Sequence, residues 1–319
     1  MSDSVLTDLQ RSIRDGSMPT SLHDYLAVCL AFLRFVDSVH PTRIVSPSHH
    51  NYIFYQYTEA YGYRVTRPLN TNLFVESEAT FRDMFERFVE FLATLGHFQN
   101  AVGEQENLRP YIDAREINKV IYTLQQSIGS ISDSFDSPNQ SRKRAGQLFE
   151  VLIKLVLQEV GLVCEPRTIK IPIPNYPDYI MSYELDLVFS HSQAIVTSET
   201  MFIHPYEIVG SVKTTSKDRI DKIFLDKYLL TKLLGRDIPV VAIFLHDVQR
   251  AVRGNNQFSV NSTFKSNHFL GYTVALNKLD GVYYVDPRPE MTANDRLREQ
   301  VHDFQKFLVE DLWALSSRK

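Results

Sequence analysis

Ser211-Val212-Lys213-Thr214-Thr215-Ser216-Lys217-Asp218-Arg219 is the stretch that decides how this chain is read. The run from Glu207 to Lys213 has the composition of a strand and ends in a lysine. A polar turn follows, and then a helix expected from about Asp218 to Leu234, closed by Gly235, with Asp226 seven residues beyond Arg219. Tyr183 to Phe189 reads as a preceding strand with Asp186 at its centre. Strand side chains alternate. Glu207, Val209, Ser211 and Lys213 therefore share one side, and Asp186 shares a side with Glu184 and Val188, opposite Leu185 and Leu187. If the two strands pair, Asp186 and Lys213 meet at the sheet edge. On the helix, Asp226 lies with Ile223, Leu230 and Leu233 on the more apolar side, where an unpaired acid is costly. A divalent cation shared by Asp186 and Asp226 relieves that cost. Mg²⁺ suits two carboxylates, water and a phosphate oxygen. It polarises the phosphate and lowers the pKa of a bound water. Lys213 is then placed to stabilise the attacking hydroxide or the developing charge. This is the chemistry of phosphodiester cleavage. The residues alone leave a plainer reading open, in which Lys213 ends a strand at solvent, Asp218 caps a helix and Arg219 is a surface side chain.

Working outward, a helix is expected from about Arg142 to Val160, closed by Gly161, and strands near Leu162–Ile171, Tyr183–Ser190 and Tyr206–Thr215. Beyond the Asp226 helix, Pro239–Leu245 is a continuous apolar run, as in a buried central strand. The order from Arg142 is α-β-β-β-α-β, an α/β core. Further strands are expected at Gly271–Leu276 and Gly281–Val285, with Leu279-Asp280-Gly281 turning between them, and a last helix at about Ala293–Leu315. Pro177-Asp178 lies in a Pro- and Tyr-rich segment read as outside a strand, and His246-Asp247 reads as a loop pair. The polar, turn-forming segment Gly129–Gln140 reads as the main boundary. It divides a mainly helical N-terminal region, residues 1–135, from a catalytic core, residues 136–319. The N-terminal helices are expected around Leu22–Val39, from Thr80 (with Asp83 as a capping-box acid) to Leu95 with Gly96 as C-cap, and from about Asp113 to Ile128. His49 to Val65, rich in Tyr and His, has no clear period.

With 319 residues, 44% of them apolar and 23% charged, the chain has the make-up of an ordinary globular protein of one or two domains. Its net charge of −4 argues against a non-specific nucleic-acid coat protein. It is compatible with an enzyme that is positive only where DNA lies. The longest apolar run, Leu26 to Leu33, is far too short to span a bilayer. The first residues lack a basic and an apolar signal region, and Cys29 and Cys164 suggest no disulfide framework, so a cytoplasmic protein is expected. His49-His50 and His204 are not at metal-ligand spacing, and no Walker A, G-x-S-x-G or G-x-G-x-x-G motif occurs.

The α-β-β-β-α-β order, with a strand acid followed by a strand lysine, resembles the PD-(D/E)XK nuclease fold. The usual acid two residues before the lysine is replaced by Ser211. The same swap marks the CCGG family of type II restriction endonucleases, in the branch of EcoRII and PspGI, where the acid moves onto the following helix. Asp226, thirteen residues after Lys213, is similar to that acid, although the family more often has Glu. The branch also carries an R-(D/E)-R type element that reads a CC:GG dinucleotide. Lys217-Asp218-Arg219 resembles it, with Lys in the first place. Arg144 to Glu150 resembles the first core helix, and by that likeness Glu150 assists the metal or its water. The resemblance covers roughly residues 142–250. It implies Mg²⁺-dependent cleavage of double-stranded DNA at a palindromic site containing CC and GG, interrupted as CCNGG, with TCCNGGA as one form. It also implies a homodimer and a cognate DNA methyltransferase. Asp186, Lys213, Asp226 and Glu150 are the expected catalytic residues, with Asp186 and Asp226 on the metal. The physics of the reading element is independent of the family: a guanidinium fork fits guanine O6 and N7, and a carboxylate accepts from cytosine N4. Arg142-Lys143-Arg144 is a candidate phosphate contact. Two other readings remain, a repair or recombination nuclease of the same fold and a nuclease-derived DNA-binding protein without catalysis.

Overall fold

The structure, a computed structural model, describes residues 2–97, 109–191 and 203–316. In chain order its first elements are α1 (Ser2–Arg14), α2 (Leu22–Val39), β1 (Thr42–Val45), β2 (Tyr52–Gln56), β3 (Leu69–Asn70), α3 (Glu78–His97), α4 (Arg109–Asp113), α5 (Glu116–Ser132) and α6 (Pro138–Glu159). Then come β4 (Val163–Ile173), β5 (Tyr176–Ser190), β6 (Ile208–Lys213), α7 (Ile220–Leu234), β7 (Val240–His246), β8 (Val248–Arg253), β9 (Asn256–Ser262), α8 (Ser266–Ala275), β10 (Gly281–Asp286) and, after two short helices, β11 (Val301–Asp303). The described residues fall into two units. The first holds residues 2–91, 109–155 and 248–263, and the second holds 92–97, 156–191, 203–247 and 264–316. Among the described residues no helix is long and apolar enough to cross a membrane.

In the first unit, α2 opens with a capping box in which Ser21 and Asp24 satisfy each other's backbone N–H groups. α5 is buried along most of its length. The start of α6 is tied to it and to α2: Gln125 Nε2 donates to the Ala145 carbonyl at 2.8 Å, and the Tyr25 hydroxyl donates to the Leu148 carbonyl at 2.6 Å. For this reason residues 138–155 group with the N-terminal elements, and the chain passes between units inside α6 rather than at the segment 129–140. That segment is also shorter than expected as a loop, because α5 continues to Ser132 and α6 begins at Pro138. The N-terminal part is not purely helical. β1 and β3 pair antiparallel with β2, and the β8–β9 hairpin packs Val248 and Val260 against Tyr52 and Phe54. β2 shows no period in the sequence because its first four residues, Tyr52 to Tyr55, are all buried. α3 starts at Glu78, with Ser77 Oγ accepting from the Thr80 N–H, so Ser77 takes the place expected of Thr80; Gly96 lies within the helix rather than after it.

The second unit is a six-stranded mixed sheet in the order β11-β10-β7-β6-β5-β4. β4–β5 and β5–β6 are antiparallel, while β6–β7, β7–β10 and β10–β11 are parallel. With α6 and α7 this gives the expected α-β-β-β-α-β order. One face packs on α7 and α8 through Val209, Val240, Ala242, Val282 and Tyr284 against Ile223, Phe224 and Phe269. On the other face, Phe189 and Tyr283 meet Phe307. Three expectations are corrected here. Gly271–Ala275 is the end of α8 rather than a strand, with Leu276 as its C-cap, because packing of Phe269 on Phe224 outweighs the local β preference. The long C-terminal helix is interrupted by β11, whose buried Val301 pairs with Val282. Pro177 and Asp178 lie inside β5, which is longer than the sequence suggested.

Candidate active site

The site starts from an irregularity in β5. Along β4 the ladder advances two residues, Glu165 to Arg167, while along β5 it advances three, Val188 to Leu185. This bulge breaks the alternation expected around Asp186. Leu185 and Val188 both turn into the core beneath α7 instead of facing opposite ways. The β5–β6 ladder ends at Leu187 opposite Gly210, and beyond it the Asp186 side chain takes over as acceptor. Its Oδ2 accepts from the Ser211 hydroxyl at 3.1 Å, the Val212 N–H at 2.9 Å and Lys213 Nζ at 2.6 Å. The meeting of Asp186 and Lys213 at the strand edge is therefore observed. All three donors converge on one oxygen, which leaves Oδ1 outside this set of bonds.

Asp226 stands on α7 at the margin of its buried stripe, Ile220, Ile223, Phe224, Lys227 and Leu230, and is itself partly buried. Burial pushes its carboxyl above the ordinary carboxylate range. The charge of Lys222 opposes this, that of Asp186 adds to it, and that of Lys213 opposes it. Asp226 thus shares an electrostatic environment with both Asp186 and Lys213. Lys227, which breaks the apolar pattern of this helix, is only 3% exposed. Its ammonium donates to Asp280 Oδ2 and to the Lys278 carbonyl, each at 2.7 Å, and Asp280 also accepts from the Val240 N–H at 2.8 Å. That buried pair fixes α7 to the start of β7 and β10. At the entry to β6, Glu207 is buried and paired with both Arg167 guanidinium nitrogens at 2.8 and 2.6 Å, so it belongs to the frame and not to the site.

The turn between Lys213 and α7 is held by Asp247, a residue whose part the sequence reading missed. Asp247 is fully buried; its Oδ1 accepts from the Ser216 N–H at 2.8 Å, and its Oδ2 accepts from the Ser216 hydroxyl and, at 2.7 Å, from the Tyr284 hydroxyl. The one signal available was an acid placed directly after a run of apolar residues ending at His246. From this clamp the backbone loops outward. Asp218 adopts a left-handed conformation, which Asp tolerates better than most residues. Arg219 takes the cap position of α7 without a side-chain capping bond, so Asp218 is not the N-cap. Lys217, Asp218 and Arg219 are all exposed. Replacing Asp247 by Ala strands the Ser216 N–H in the core and leaves the Ser216 and Tyr284 hydroxyls without their shared carboxylate. A loss of about 2–5 kcal/mol of stability is expected in urea unfolding, with Asp247→Asn losing less.

Of the other expected site residues, Glu150 lies on the part of α6 that belongs to the first unit, whereas Asp186, Lys213 and Asp226 all belong to the second. Arg144 is engaged within its own unit, donating to the carbonyls of Ile13 at 2.6 Å and Gly16 at 2.7 Å, which ties its guanidinium to the chain after α1. Arg142 and Lys143 are exposed on the first turns of α6. Among the described residues no cluster of three or more His, Cys, Asp or Glu is placed to hold a metal ion. Asp186 and Asp226 are two carboxylates close enough to influence each other electrostatically. That number suits a hard cation that retains water and takes a phosphate oxygen, and a partly buried carboxyl beside a second one is the environment such a cation relieves.

No protein-family model matches the sequence, and no curated protein matches it. Among solved structures, the chain is similar to one described as the Type IIP restriction endonuclease Kpn2I, with a TM-score of 0.69 and 18% identity over 99% of this chain and 98% of the other. It is also similar to the restriction endonuclease PspGI in complex with substrate DNA, at a TM-score of 0.40 and 12% identity over 63% of this chain and 81% of the other. The first likeness shows the fold of the chain to be that of a restriction endonuclease.

Proposed function

We propose that the chain is a Mg²⁺-dependent type II restriction endonuclease that hydrolyses double-stranded DNA at a palindromic site containing CC and GG, interrupted as CCNGG. The observation that carries this reading is the Lys213–Asp186 contact at 2.6 Å, on the edge of the sheet and within the electrostatic reach of Asp226. In the reaction, a water oxygen bonds to phosphorus, a phosphate ester bond breaks, and the departing oxygen gains a proton. A bound Mg²⁺ supplies polarisation of the phosphate and a lowered pKa for a coordinated water. Asp186 and Asp226 are the residues that hold it. Asp186 keeps Oδ2 for Ser211, Val212 and Lys213 and offers Oδ1. Lys213, aligned by Asp186, presents a compact positive charge to the attacking oxygen or to the charge that builds on the phosphate.

Reading is assigned to Lys217, Asp218 and Arg219, exposed on the turn that Asp247 clamps a few residues from Lys213. Arg219 suits guanine and Asp218 suits cytosine. A palindromic site calls for a two-fold protein, hence a homodimer, and a restriction activity calls for a partner DNA methyltransferase. Arg219→Ala is expected to narrow the difference in kcat/KM between the cognate site and a site with one changed G·C pair by about tenfold or more, with no change in the unfolding midpoint. The function itself is tested by incubating phage DNA with the protein and Mg²⁺, beside a chelator control. Discrete fragments are expected. A smear favours a repair or recombination nuclease, and sequence-specific binding with no cleavage under any divalent metal favours a DNA-binding module.

A further inference from the structure

Among the described residues, β5 pairs with β6 only through Leu187, Val188 and Phe189, yet it extends back to Tyr176 with β4 as its only paired strand. Because β5 runs antiparallel to β6, the part before Asp186 continues past the end of β6 that carries Lys213. Residues 176–184, at about 3.4 Å per residue, reach about 30 Å beyond the catalytic edge. The base of this two-stranded ribbon is anchored: Ile169 and Ile171 are buried in the core with Ile220 and Ile223 of α7, and Tyr183 packs against that core. Arg219 caps the same helix, and the exposed turn of Lys217, Asp218 and Arg219 leads into it.

Its tip has an unusual surface. Tyr176, Tyr179 and Ile180 are 60%, 65% and 61% exposed, and the two tyrosine rings meet edge to face with centroids 6.3 Å apart. Three large apolar side chains together at the end of a projecting ribbon mark a contact surface rather than scattered exposure. The turn is made at Asn175, in the left-handed conformation.

We propose that this ribbon tip is a second DNA-contact element, entering the major groove of the duplex that flanks the cut, with Tyr176, Tyr179 and Ile180 as its contact residues. The proposal rests on the nuclease reading. DNA is the occupant the geometry favours because the ribbon continues the strand that carries Asp186, past the end of β6 that carries Lys213, so a duplex held at the edge lies along it. A two-stranded ribbon fits the major groove, about 12 Å wide, where apolar side chains meet thymine methyl groups. The contact is apolar, so it adds affinity without releasing counterions.

The test is binding of the full chain to a cognate duplex in Ca²⁺, measured over a range of salt and by hydroxyl-radical footprinting, for the wild type and for Tyr176→Ala/Tyr179→Ala/Ile180→Ala. The variant is expected to bind about tenfold more weakly, with an unchanged salt slope and with protection lost on the flank of the site. Substrate with uracil in place of flanking thymines should weaken the wild type and leave the variant unaffected. Equal affinity and an equal footprint for variant and wild type overturn the proposal while the nuclease reading stands. So does a variant that turns from dimer to monomer in sedimentation with the footprint on its own half-site unchanged, which makes the tip a contact between copies. A wild-type protein that binds no DNA overturns both.

Discussion

Asp226→Asn is expected to abolish Mg²⁺-dependent cleavage while leaving the metal-free protein at least as stable as the wild type. Loss of a direct metal ligand should lower the rate by at least the roughly hundredfold typical of outer-shell changes around a metal. The stability expectation follows from the direction of the Asp226 shift, upward and caused first by burial. A carboxyl whose folded value lies above its unfolded one contributes stability below the unfolded value. That contribution is lost as pH rises through the folded value. At neutral pH the ionised Asp226 is therefore a burden on the metal-free protein, and the amide removes it. Mg²⁺ needs the ionised form, so metal and proton compete. The rise in Tm on adding Mg²⁺ should grow as pH increases through the raised value in the wild type and be absent in Asp226→Asn. A variant that cuts at the wild-type rate contradicts the assignment of Asp226, as does a metal-free variant clearly less stable than the wild type.

The second large effect is expected at Lys213. Lys213→Ala leaves Asp186 with the Ser211 hydroxyl and the Val212 N–H, two neutral donors, so the carboxylate keeps its place while the positive charge is gone. Cleavage should fall by about a hundred- to a thousandfold, the scale of losing a charge-stabilising donor. Binding to cognate DNA in Ca²⁺ should survive. Lys213→Arg should restore little, because a planar fork does not reproduce a compact ammonium aligned by one carboxylate oxygen. Loss of DNA binding in parallel with cleavage would instead make Lys213 a phosphate anchor.

Much of the second unit was legible in the chain. The strand ending at Lys213, the apolar run of β7 and the Gly235 stop after α7 follow local rules, and they place Asp186 and Lys213 within reach of each other. What escaped depends on tertiary partners. The bulge that aims Asp186 arises from the unequal advance of β4 and β5 and leaves no mark in a period of two. Lys227 looked like a flaw in an amphipathic stripe until Asp280 supplied its partner. Asp247 looked like a loop residue because nothing local points from it to Ser216 and Tyr284. Arg144 looked available for DNA, yet carbonyls more than a hundred residues earlier in the chain occupy it. In the first unit β2 was hidden by its own burial, and α8 by β-forming residues that pack as a helix.

The swapped position is the crux of the proposal: Ser211 stands where an acid is usual, and the proposal gives its charge to Asp226 on the next helix. Sequencing the ends of a defined DNA after incubation with the wild-type protein and Mg²⁺ tests whether these residues make a site-specific cutting centre. Ends that all fall at one palindromic sequence containing CC and GG are expected, and no ends when a chelator is present. Ends spread over unrelated sequences, or ends that form equally without a divalent metal, would contradict it.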